Sequence, residues 1–115
     1  MNHITIAIPI YGQSVAPRVD LTSEVVLVLV GNGKKEDERL FVLPQASSEE
    51  FCQFILKEGV KTVICGGIEE EFLRYLEWKN VEVIDNVIGK VPDVVERYLK
   101  GELKTGDMVG HEYQG

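Results

Sequence analysis

The stretch VKTVICGGIEEEFLRYL, residues 60–76, decides the fold. Lys61–Cys65 is a short apolar run, Gly66 and Gly67 let the chain turn tightly, and Phe72, Leu73 and Leu76 recur at helical spacing toward a stop near Asn80. A strand that passes through a glycine turn into a helix is half of a βαβ unit, and such units build parallel sheet. Downstream, VEVID (81–85) supplies the next strand. Pro92 suits the first turn of a further helix, with Val94, Val95, Tyr98 and Leu99 on its apolar face and Gly101 after it.

Upstream, Ser47 and Glu50 fit a capping box, and Phe51, Phe54 and Ile55 form one stripe before Gly59. The residues EVVLVLV (24–30) are apolar on both faces, as in a covered central strand, and RLFVL (39–43) returns antiparallel beyond a charged, mobile hairpin tip. At the start, Ile4, Ile6 and Ile8 alternate until Pro9, which lacks an N–H and is expected to stop the ladder. Tyr11–Ser23 has no period of two or 3.6 and reads as a long loop, a feature that often carries function. After Leu103 the chain turns polar and glycine-rich, so residues 1–103 are expected to form one domain and 104–115 a flexible tail.

The elements run strand, strand, strand, helix, strand, helix, strand, helix, which makes an α/β domain with a mixed sheet. With the first strand beside the fourth, Tyr11, Gly12 and the following loop would face Cys65-Gly66-Gly67 at the carboxyl edge, where ligands of open α/β sheets bind.

Composition narrows the partners. The chain has 115 residues and a formal net charge of -7, from 12 Lys+Arg against 19 Asp+Glu, so a phosphate-neutralising face, and with it nucleic acid, is not expected. No apolar run reaches the roughly 20 residues that span a bilayer, so no membrane role is expected and a soluble, cytoplasmic protein is. Cys52 and Cys65 sit inside patterned segments and form no Cys-x-x-Cys pair, which predicts reduced thiols. The two histidines, His3 and His111, lie near the ends, so no zinc spacing and no Cys-His or Ser-His-Asp set can be assembled. The chain does not read as an enzyme.

Cys65-Gly66-Gly67 admits two readings. Its glycines and the helix that follows could give an anion or metal cluster access to free N–H groups, with the helix dipole lowering the Cys65 pKa. Equally, Gly-Gly could only turn the chain, with Cys65 as a small core residue. Arg18, in SVAPRVD, could offer its forked donors to an anion or pair with Asp20 or Glu24. Glu69-Glu70-Glu71 favours a helix N-terminus but fans out by about 100° per residue, too widely to converge on one ion. Cys52 reads as packing, and His3 should lie at the opposite edge from Cys65.

The stretches ITIAIPIYG, SVAPRVD, GVKTVICGGI and VEVIDNVIGKVPDVVERYLKGEL, spread over about residues 3–103, resemble the dinitrogenase iron-molybdenum cofactor biosynthesis family. That family includes small cofactor carriers and the C-terminal module of the cofactor synthesis enzyme. The resemblance implies a ribonuclease H-like fold with a five-stranded mixed sheet in the order 3-2-1-4-5, strand 2 antiparallel and helices on both faces. It further implies a noncatalytic carrier of an iron-sulfur or iron-molybdenum type cluster, with cluster donor or acceptor proteins as partners. Mapped onto this chain, the cofactor-binding residues would be Tyr11, Gly12, Arg18, Cys65, Gly66 and Gly67, with Cys65 as the soft metal ligand. The chain departs from the family pattern at Glu69-Glu70-Glu71, at Val19, and in a tail whose only such ligand is His111. The alternative is therefore a protein-interaction or regulatory domain of the same fold that has lost the cluster.

Overall fold

The computed structural model describes residues 3–110. Its centre is β1 (His3–Tyr11), flanked on one side by β3 (Glu24–Gly31), antiparallel, and on the other by β5 (Thr62–Ile64), parallel. The sheet ends in β4 (Lys34–Val42) beyond β3 and in β6 (Glu82–Ile84) beyond β5. A two-residue strand, β2 (Ser14–Val15), pairs with the end of β1. The mixed sheet thus has six strands in the order β4-β3-β1-β5-β6 with β2 attached, which differs from the expected five-stranded 3-2-1-4-5. The difference arises in Tyr11–Ser23, which is not an irregular loop. It folds back at Gly12-Gln13 to pair Ile10 with Val15, and then forms a short 3-10 turn at Val19–Leu21.

Two other sequence signals acted differently from expectation. β1 runs past Pro9 because the Pro9 carbonyl accepts from Ala16 N–H at 2.9 Å, on the β2 side. A strand residue directs its N–H and C=O to the same edge, so the missing donor takes nothing from the β3 ladder. β4 begins at Lys34 and not near Arg39, because Asn32 and Gly33 both have positive φ, 55° and 76°, the signature of a tight two-residue hairpin turn. The charged residues Lys34–Arg39 hide this strand from periodicity because it is an exposed edge, wet on both faces.

Alternation along the strands assigns the two faces. Ala7, Val25, Val63 and Cys65 point toward α1 (Ser48–Lys57) and α2 (Glu70–Trp78), where they pack with Phe51, Cys52, Ile55 and Leu76. Ile6, Ile8, Val28 and Ile64 point the other way, toward Val91, Val94 and Val95 of α3 (Val91–Leu99). Fully burying one such branched side chain contributes about 1.5–3 kcal/mol. The hydroxyl half of the expected capping box forms at α1, with the Ser47 hydroxyl accepting from Glu50 N–H at 3.0 Å.

Residues 104–110, predicted to be loose, are held. Ile88 N–H donates to the Asp107 carbonyl and Val109 N–H to the Ile88 carbonyl, at 2.9 and 2.7 Å, while the Val109 side chain is buried in the α3 layer. His111 and the rest of the predicted tail lie outside the described residues.

Candidate functional site

Three connections meet at the carboxyl ends of β1 and β5: the Tyr11–Arg18 segment, the turn after Cys65, and the loop from Asp85 to Lys90. Main-chain hydrogen bonds stitch them together. Gly67 N–H donates to the Pro17 carbonyl at 2.7 Å and Val19 N–H to the Gly67 carbonyl at 2.9 Å. Val87 N–H donates to the Cys65 carbonyl at 3.0 Å, Val15 N–H to the Gly89 carbonyl and Val91 N–H to the Gln13 carbonyl, both at 2.9 Å. The requirement for Gly66 follows from this stitching. A Cβ there would run into the carbonyl oxygens of Ala16 and Pro17, at 2.6 Å from the latter. The backbone that approaches Gly66 is therefore the protein's own.

Above the stitching lie two adjoining depressions that share Val15, Pro17 and Ile88. One, of about 470 Å³, is bounded by Tyr11, Lys90, Asp93 and Val109. The other, of about 360 Å³, is bounded by Gly66, Gly67, Asn86 and Val87. Together they form a trough with an apolar floor and a rim carrying a phenol, an ammonium, a carboxylate and an amide. Tyr11 is 75% exposed on that rim, and Ile88 is half exposed.

The predicted site residues separate at this edge. Tyr11, Gly66 and Gly67 border the trough, and Gly12 sits at the exposed hairpin turn beside Tyr11. Arg18 bridges to Gly67 through its backbone, but its guanidinium grips Asp20 with two hydrogen bonds of 3.0 and 2.7 Å. That grip holds the Asp20 carboxyl below the usual carboxylate range. Cys65 is not at the trough. Its side chain is wholly buried in the opposite layer with Cys52 and Leu76.

A Cys65 thiol pointing into the opening would have had its pKa lowered by the helix dipole. Burial instead pushes it well up, and the nearby Asp85 and Cys52 add to the rise. Burial likewise pushes Cys52 up to about 12. Burial thus favours the neutral thiol at both positions. Among the described residues no group of three or more His, Cys, Asp or Glu could hold a metal ion. The trough sets the Lys90 ammonium, the Tyr11 phenol and the Asp93 carboxylate over apolar walls.

Lys90, Asn86, Ile88 and Val109 were missed as site residues. A signal for the first three existed in DNVIGK (85–90), because the connection after a third parallel strand opens at the same edge as the other two. His3, the first residue of β1, lies at the opposite end of the strand from this edge, as expected, and pairs there with Glu36 at 3.1 Å.

A family model described as dinitrogenase iron-molybdenum cofactor matches residues 2–101. Among solved structures, PH0822 matches with a TM-score of 0.81 at 22% identity over 89% of this chain and 94% of its own. A Methanocaldococcus jannaschii protein follows with a TM-score of 0.74 at 19% identity, over 90% of this chain and 95% of its own. The apo form of the orange protein from Desulfovibrio gigas has a TM-score of 0.69 at 19% identity, covering 93% and 96%. At these identities the likeness speaks to the fold. No curated protein matches the sequence closely enough to count as a relative. No helix among the described residues is long and apolar enough to cross a membrane.

Proposed function

The chain belongs to the dinitrogenase iron-molybdenum cofactor family, and from that membership we propose that it is a noncatalytic, cytoplasmic carrier of an iron-sulfur or iron-molybdenum type cluster, exchanged with donor and acceptor proteins. The observation that carries this reading is the trough at the carboxyl edge, with exposed Tyr11 and Lys90 above the Gly66-Gly67 turn. Its apolar floor would exclude water from a bulky cargo, and Lys90 would offset anionic charge. In this reading Tyr11, Gly12, Gly66 and Gly67 form the site together with Lys90. Arg18 joins only by releasing Asp20, and Cys65 supports the turn from the core side. The ribonuclease H-like assignment belongs to the same reading, supported by the antiparallel β3 beside a central β1, and carries no nuclease chemistry.

Anaerobic titration with an iron-sulfur cluster donor, followed by visible absorption and bound iron, tests the carrier. Wild type and Cys65→Ala should load saturably and alike, and Tyr11→Ala/Lys90→Glu should load at least 10-fold more weakly. Loss of loading in a folded Cys65→Ala protein would return the thiol to the role of ligand.

Failure of every variant to load would favour the second reading, an interaction or regulatory domain that has lost the cluster. Two observations give that reading its weight: both thiols are buried, and the described residues contain no group of three or more His, Cys, Asp or Glu that could hold a metal ion.

A further inference from the structure

The α1–α2 layer carries a second depression, on the opposite face of the sheet from the Val87 and Val109 walls of the trough. It measures about 330 Å³ and lies between the two helices, with Cys52, Phe72 and Tyr75 as its apolar lining and Glu49, Gln53 and Glu71 around it. Among the described residues neither Glu49 nor Glu71 forms an ion pair, whereas Glu70 is taken by Arg74 at 2.6 Å. The groove continues along α2 into an exposed aromatic pair. Tyr75, which lines the groove, packs tilted against Trp78 with 6.4 Å between ring centroids, and Trp78 is 74% exposed. Lys79 lies 4.8 Å from the Trp78 ring centre, a cation-π contact that helps fix the indole in place.

We propose that this groove docks a basic segment of a partner protein. A lysine or arginine fits the space by its two halves: the aliphatic stem lies along Phe72 and Tyr75, and the charged head sits between Glu49 and Glu71. Trp78 receives an apolar neighbour on the same segment, in the manner of the aromatic anchors that dominate protein interfaces. The unpaired glutamates and the overall charge of -7 select the sign of the partner. A second copy of this chain would bring like charges together. The surface acts with or without a cargo in the trough, so it stands apart from the carrier reading.

Trp78 is the only tryptophan and reports on the groove directly. The probe is a 16-residue amphipathic peptide of lysine and leucine, titrated into the full chain without cluster, with a glutamate-leucine peptide as counterpart. Glu49→Lys/Glu71→Lys reverses the groove. Glu96→Lys/Glu102→Lys makes the same net charge change at exposed positions on and just beyond α3. The lysine peptide should bind saturably and shift the Trp78 emission, the glutamate peptide should not bind, and the groove variant should bind at least 10-fold more weakly than the α3 variant. Trp78→Ala, followed by calorimetry, should weaken binding about 5- to 10-fold. Equal losses in the two charge variants would mean that only net charge was felt and would overturn the proposal. So would the absence of binding, or an emission change that tracks self-association of the chain in sedimentation.

Discussion

Cys65 and the trough are divided by one thickness of backbone. In a strand, successive side chains point to opposite faces, so the side on which Val63 packs is also the side of the Cys65 thiol. Sequence could name the residue types at this turn but not that direction, because β5 is buried on both faces and shows no polar alternation. The buried thiols have a consequence for pH. Their folded pKa values lie above the ordinary 9.0, so the neutral form is favoured in the native state. Stability from this source is complete below the unfolded value and is lost as pH rises through the folded one. The urea midpoint of the wild type should hold steady up to about pH 9, near the ordinary thiol value, and decline above it. In a Cys52→Ala/Cys65→Ala variant the alkaline slope should be shallower, and parallel slopes would mean that the thiols are not the cause.

At the scale of elements, the helices and the apolar strand β3 were legible because caps, glycine stops and apolar stripes agree locally, whereas the charged half of β4 was not. Ser47, Gly59, Pro92 and Gly101 all sit where the sequence places a boundary. What escaped were the pieces that owe their order to another piece: β2, which needs the end of β1, and the 104–110 strap, in which Val109 is buried within a segment that has no apolar period. The turn after β5 belongs to this class. Its two glycines look equivalent in sequence, yet a Cβ on Gly67 would meet nothing nearer than the Pro17 carbonyl oxygen at 3.3 Å, whereas one on Gly66 would collide with backbone. Gly66→Ala should therefore destabilise by about 1–3 kcal/mol, and Gly67→Ala by distinctly less, read as urea midpoints. Equal effects would show that turn flexibility, and not the crossing of Ala16 and Pro17, requires the glycine.

For the whole molecule, the open flank of the sheet matters most. β4 presents nine residues at the edge, with Leu40 and Val42 more than half exposed, and an edge of that length is a template for pairing with another chain. Its protection is visible: an unbroken run of charged residues of both signs from Lys34 to Arg39, and an irregularity opposite Leu29 and Val30 at Glu36, whose carboxylate meets His3. Replacing Lys35, Asp37 and Arg39 with valine should produce self-association, detected as concentration-dependent light scattering. A variant that stays monomeric would show that the bulge alone suffices.

The place of β1 also sets a timetable. The strand at the centre of the sheet is synthesised before both of its neighbours. Its antiparallel neighbour β3 follows after a short connection, but its parallel neighbour β5 begins only at Thr62. At about 5–20 residues per second, a ribosome delivers those roughly fifty intervening residues in about 3–10 seconds. In the later part of that interval, once Val42 has been made, the β1–β3–β4 meander has the β5 side of its central strand open except where β2 pairs with it. The charged β4 flank then guards one side of the nascent sheet while the other waits for its partner to be made.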